Sequence, residues 1–251
     1  MMETVDCGRI WGGNKNTDLD MCTATLETSV RSIASDSCNG GDFYFYSVCG
    51  EGTLSRIILG DVVGHGDEVS HISRWVYDLL KKNINKLAGN NILSSLNNEI
   101  HKRGLDAMTT AAVIAYYTGD HNFYFSYAGH YPALIRRKDE DEWWPAYIDS
   151  DSDSDSDIPN IPLGIKKNIP YDQCHIPLSS GDCVFIYTDG IIEATDENDQ
   201  MYNIERLVAC LDDISENDPQ ILKNAVFDDV EKFCNGQMEH DDVTAIVIKI
   251  H

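Results

Sequence analysis

Short runs of β-branched and aromatic residues alternate with turn signals along this chain, and two pairs of segments with helical spacing interrupt them. Residues 108–117 and 122–127 flank Thr118-Gly119-Asp120-His121, the signature of a hairpin. Upstream, 22–33 reads as one strand, 42–48 as another after the turn Asn39-Gly40-Gly41, and 55–59 as a third. Downstream, 132–136, 171–177 and 183–187 read as strands, and 243–250 closes the set with β-branched residues. Val69, Ile72, Val76, Leu79 and Leu80 recur at helical spacing, and a second helix runs over Leu93, Leu96 and Ile100 to Gly104. Another helix pair is expected over 204–214 and 220–234. Antiparallel strands broken by helix pairs specify an α+β domain, not a parallel doubly wound sheet. About nine strands would form two packed sheets with helices outside. A length of 251 residues suits a single domain over 1–251, with its core at about 20–250.

Charge narrows the partners. The chain carries a net charge of −23, and residues 139–157 hold nine carboxylates and no base. Such a surface repels phosphate backbones and anionic lipid, so neither nucleic acid nor membrane is an expected partner. No apolar run approaches the ~18 residues of a spanning helix. The first residues, Met1-Met2-Glu3-Thr4-Val5-Asp6, lack the basic and apolar segments of an export signal, so a cytoplasmic protein is expected. The eight cysteines are scattered without a Cys-x-x-Cys pair, which fits reduced, mostly buried thiols rather than a zinc site.

Residues 138–160 read as an acidic surface loop. Their Asp/Ser alternation is not a calcium loop. The sixth position needs Gly, where Ser154 or Ser156 stands, and the twelfth needs Glu, where Asn160 or Pro162 stands. Trp143-Trp144 fits either a core or a docking patch.

Three aspartates share a context at the mouth of an apolar strand, beside glycine or a second acid. They are Asp61 in Leu59-Gly60-Asp61-Val62, Asp189 in Tyr187-Thr188-Asp189-Gly190, and Asp241 in His240-Asp241-Asp242-Val243. Rigid strand ends fix carboxylates well, and several carboxylates share a buried site only when protonated or neutralised by cations. Hard oxygen donors select magnesium or manganese. A lone strand-end Asp is also an ordinary turn former, so spacing leaves both readings open.

Five segments in order carry a resemblance. They are Gly40-Gly41-Asp42-Phe43-Tyr44, Gly60-Asp61-Val62-Val63-Gly64-His65-Gly66, Ala128-Gly129-His130-Tyr131-Pro132, Tyr187-Thr188-Asp189-Gly190-Ile191-Ile192-Glu193-Ala194 and Asp241-Asp242-Val243-Thr244. Together they resemble the bacterial branch of the metal-dependent protein phosphatase 2C family, that of the stage II sporulation phosphatase and the stress-response sigma-factor regulators. The resemblance implies a β-sandwich of two mostly antiparallel sheets flanked by helix pairs, with two Mn2+ or Mg2+ ions at one end. It implies that Asp61 bridges both metals, that the Val62 carbonyl completes one shell, that Asp189 and Asp241 are ligands, and that Asp42 ligates or holds a metal-bound water. It also implies in-line attack on phosphorus by a metal-activated water, without a phosphoenzyme.

The substrate so implied is phosphoserine or phosphothreonine on a partner protein, of the anti-sigma-factor-antagonist type. The alternative is a phosphatase-like binding module that has lost turnover and sequesters its partner. A hydrolase acting on a small-molecule phosphate is a third reading.

The chain departs from family habit at Phe45, where Asp is common, at Asn203, where Gly is common, and at Val63. Arg31 is the one nearby candidate for a phosphate-holding arginine, and its spacing does not support that role. His65 reads as a loop-ordering residue rather than an acid catalyst, His130 as a structural turn histidine, and Asp242 as a partner holding the turn.

Overall fold

Strand pairing builds two stacked sheets in a computed structural model that describes residues 3–4, 10–35, 38–49, 52–86, 88–147, 161–236 and 240–251. The Asp/Ser tract at 149–157 lies outside the described residues. The first sheet is ordered β1 (Glu3–Thr4), β3 (Thr17–Cys22), β4 (Leu26–Ile33), β13 (Val243–Ile250), β12 (Cys183–Tyr187), β9 (Leu134–Arg136) and β10 (Trp144–Pro145). The second is ordered β11 (Cys174–Pro177), β8 (Asn122–Ala128), β7 (Thr109–Tyr117), β6 (Leu54–Val62), β5 (Asn39–Cys49) and β2 (Ile10–Lys15). Neighbours are antiparallel except β1 and β3. Helices α1 (Gly66–Asn83) and α2 (Gly89–Arg103) cover the second sheet, while α3 (Asp189–Ile192), α4 (Asn203–Asp212) and α5 (Pro219–Phe233) cover the first.

Alternation along each strand sorts side chains into three apolar layers. In β5, Tyr44 and Tyr46 face the other sheet while Phe43 and Phe45 face α1 and α2. In β12, Val184 and Ile186 face between the sheets, and Phe185 and Tyr187 face the helices of the first sheet. Both faces of these strands are buried, which is why they read as nearly continuous apolar runs. The expected α+β sandwich with helices on both outer faces is the observed architecture.

The structure revises some boundaries. The run 22–33 is two strands, because Thr23 Oγ1 accepts the N–H groups of Thr25 (3.2 Å) and Leu26 (2.8 Å) and turns the chain. Residues 10–22, to which the sequence pattern assigns no strand, supply β2 to one sheet and β3 to the other. Trp143 and Trp144 both pack inward on opposite faces, Trp143 edge-on to Phe185 and Trp144 against the inter-sheet layer. Arg31 stacks on Phe227 of α5 at 4.6 Å, on the helix side of its sheet. Asn203 has φ 63, a conformation Gly adopts freely and Asn tolerates, so both residues serve this turn.

Phe45 is fully buried, with its ring 6.2 Å from that of Tyr77 in α1. An Asp there would bury a charge among apolar groups. Phe45→Asp should destabilise the fold by at least ~3 kcal/mol and Phe45→Leu by ~1–2 kcal/mol, read by urea denaturation. Equal midpoints for the two variants would contradict the packing described.

Candidate metal centre

The register that sets Phe43 opposite Gly60 carries Asp42 to the position beside Asp61 at one end of the second sheet. Asp42 shares the strand side of Tyr44 and Tyr46, and Asp61 that of Ile57 and Leu59, so both carboxylates belong to the inter-sheet side. From the first sheet, β12 and β13 arrive side by side, with Thr188 donating its N–H to the Thr244 carbonyl at 3.0 Å. Their ends bring in Asp189, as the first residue of α3, and the adjacent pair Asp241-Asp242.

Asp42 is 2% exposed. The Thr188 hydroxyl donates to its Oδ2 at 2.8 Å, and its Oδ1 is buried without a hydrogen-bond partner among the described residues. Burial pushes Asp42 well above the usual carboxylate range. The hydroxyls of Thr244 and Thr188 pull it back, while Asp242 and Asp189 push it further up. Asp61 is likewise pushed well up, by burial first and then by Asp42, Asp189, Asp241 and Asp242. Asp189 is raised by burial, against hydrogen bonds from backbone N–H groups and the favourable field of His240. Asp241 is pushed up to about 6 by burial, opposed by the Asp242 N–H, raised further by Asp189 and Asp242, and lowered by His65.

Asp242 differs in kind. Its carboxylate accepts three backbone N–H groups, from Ser35 (2.8 Å), Gly41 (2.6 Å) and Gly66 (3.0 Å). It is 2% exposed, whereas Asp241 is half-buried and accepts the Asp242 N–H at 2.7 Å. Neighbouring backbone crowds this tie: a Cβ on Gly190 would stand 2.0 Å from the Asp242 carbonyl oxygen. His240 Nε2 lies 2.8 Å from the Gly190 carbonyl, and His65 Nδ1 lies 3.3 Å from Ser35 Oγ beside the start of α1. His130 is buried, with Nδ1 2.8 Å from the Tyr131 carbonyl and Nε2 without a partner among the described residues.

The structure therefore gathers Asp42, Asp61, Asp189 and Asp241 into one mutually repelling set. Among the described residues no three His, Cys, Asp or Glu side chains stand positioned to clasp one ion as they are. Three observations nevertheless fit a hard divalent cation. Asp42 carries an orphaned oxygen, the donors are all oxygen, and the backbone leaves room at the Val62 carbonyl, where a Cβ on Gly41 would intrude to 2.9 Å. Sequence patterns pointed to the acids but missed Thr188, Thr244 and His240. Thr188 sits inside the Thr-Asp-Gly motif, and its role was visible only through its bond to Asp42.

Residues 51–251 match the family model described as stage II sporulation protein E (SpoIIE), and the chain belongs to this family. Its structure has the fold of the PP2C phosphatase domain of SpoIIE from Bacillus subtilis, with a TM-score of 0.71 at 20% identity over 98% of this chain and 64% of that one. Phosphoserine phosphatase RsbU of Bacillus subtilis (strain 168) is 23% identical over 215 residues, covering 83% of this chain. The chain thus spans 59% of that relative's length. RsbX, crystallised in complex with magnesium, has a TM-score of 0.67 at 14% identity over 94% of this chain and 100% of that one. Among the described residues no helix is long and apolar enough to cross a membrane.

Two outcomes follow from this geometry. Asp242→Asn leaves at least one backbone N–H facing an amide group and should cost ~2–4 kcal/mol of stability, whereas Asp241→Asn in metal-free protein should cost none. Thermal melts of the two variants in chelator separate them, and equal melting points would refute the assigned tie. Burial lowers His130 to about 4, below its unfolded value near 6.5. Its stabilising contribution is complete above about pH 6.5 and is lost as pH falls toward 4, because only the unfolded chain takes up the proton there. Stability of His130→Gln should therefore fall less steeply than that of the parent between pH 6.5 and 4, by up to ~3 kcal/mol. Parallel curves by urea titration would contradict a buried neutral ring.

Proposed function

We propose that this chain is a metal-dependent protein phosphatase that hydrolyses phosphoserine or phosphothreonine on a partner protein in the cytoplasm. The carrying observation is the set of four raised carboxylates around an orphaned Asp42 oxygen. Cations among its members favour the charged form of every carboxylate in such a set. Asp42, Asp61, Asp189 and Asp241, with the Val62 carbonyl, would hold two Mn2+ or Mg2+ ions. Bound there, the ions would supply Lewis acidity, lowering the pKa of water and neutralising phosphoryl charge.

The chain's own groups do the positioning. Thr188 fixes one oxygen of Asp42 and leaves the other free. Asp242 binds the backbone N–H groups of Ser35, Gly41 and Gly66 and so spaces the acids without joining them. His65 favours the charged form of Asp241. The magnesium in the RsbX crystal and the phosphoserine phosphatase designation of RsbU support this reading. By the family resemblance, the partner would be an anti-sigma-factor-antagonist type of regulator. All four acids are present and drawn together, which favours turnover over a sequestering module.

The test is hydrolysis of an aryl phosphate by protein dialysed against chelator, with manganese or magnesium added back. Activity should vanish in chelator and return with metal. Asp189→Asn should lose at least ~100-fold in kcat, the effect of removing several kcal/mol of metal-borne stabilisation, while its melting point holds. Full turnover in metal-free protein would overturn the reading.

A further inference from the structure

A groove of about 460 Å3 opens on the helix side of the first sheet, between the β9–β10 edge and helices α3 and α4. Its walls are aromatic and apolar. Tyr131 and Tyr187 stack at 6.1 Å with 20° between their planes, and Tyr147, Met201 and Ile204 line the rest. Met201 is 57% exposed and Tyr147 53%, so large apolar side chains at a concave surface face solvent. Grooves of this kind mark binding sites. Glu193 and Glu205 also line it, and among the described residues no basic side chain does. Glu193 follows the last residue of α3 and donates its N–H to the Asp189 carbonyl at 2.8 Å, so an occupant would reach the edge of the carboxylate set.

Charge selects the occupant. The chain's own sequence beyond Tyr147 is an Asp/Ser alternation, and a second copy would bring another −23. Either would set carboxylates against Glu193 and Glu205. A segment with Lys or Arg around an apolar residue would instead fill the walls and pair with both acids. We propose that the groove seats an apolar anchor of the phosphorylated partner protein, flanked by basic residues that meet Glu193 and Glu205. This deepens and rests on the phosphatase reading: it assigns a substrate class, phosphoproteins whose phosphosite neighbours a basic and apolar stretch.

Binding is measured by fluorescence anisotropy with the dye-labelled peptide Arg-Lys-Leu-Phe-Lys-Arg and its counterpart with Asp and Glu flanks, at low and high salt. The basic peptide should bind at least ~10-fold tighter than the acidic one, and should weaken with salt. Met201→Ala and Tyr147→Ala, both at exposed positions and checked by thermal melts, should weaken the basic peptide by ~10-fold. Phosphoserine placed beside the two flanks should give kcat/KM values that differ in the same sense, and the ratio should collapse toward one in Tyr147→Ala. Equal affinity for both peptides, or unchanged affinity in both variants, would overturn the proposal. So would self-association that Met201→Ala abolishes, which assigns the groove to a second copy. Tightening by ~10-fold on deletion of 149–157 would assign it instead to the chain's own acidic segment. Anisotropy needs no turnover, so an inactive protein that binds the basic peptide refutes the phosphatase reading alone, and an active protein that does not bind it refutes the groove alone.

Discussion

One buried negative charge organises the end of the molecule that matters. Asp242 sits just before the last strand, yet its carboxylate is bound by N–H groups from after β4, from β5 and from the first residue of α1. An isolated carboxylate at 2% exposure would be costly, and three backbone donors offset that cost. One of those donors opens an eighteen-residue helix, whose aligned dipoles add positive potential at its start. The same bonds cross from one sheet to the other. The sandwich is thus locked where its strands end, and the remaining carboxylates are held near one another despite mutual repulsion.

Much of this was legible in local pattern. Asp61 and Asp189 follow apolar strands that sandwich burial makes continuous, and the β7–β8 hairpin and the main helices carry their periods in plain view. What local pattern hid were features decided by distant partners. Asp18 and Asp20 lie in the stretch to which local pattern assigns no strand, yet Lys223 of α5, 1% exposed, forms ion pairs with both where they stand in β3. Gly12-Gly13 lies in the same unassigned stretch, and only pairing with Phe45 and Tyr44 makes it part of an edge strand. Thr188 could be told from an ordinary threonine only by Asp42, which is 146 residues away in sequence.

The departures from family habit have local accounts. Phe45 lies on the helix side of β5, the opposite side from Asp42, so apolar bulk there leaves the carboxylate set untouched. Asn203 keeps the left-handed turn that Gly would make, and its Oδ1 accepts the Arg206 N–H at 3.0 Å to start α4. Val63 is 43% exposed and offers its N–H to the Met108 carbonyl at 2.9 Å, a bond that depends on backbone rather than side-chain identity.

The strands at the borders of the two sheets have a bearing on behaviour in a crowded solution. Among the described residues β1 and β10 have two residues each, β10 ends in Pro145, and the four-residue β11 ends in Pro177, while the fourth border, β2, is longer at six residues. Proline offers no N–H to an incoming strand, and the shorter borders give little template for one. A charge of −23 adds long-range repulsion between copies, which opposes strand-by-strand stacking at the longer β2 border as well, even where exposed aromatic and thioether groups would otherwise draw molecules together.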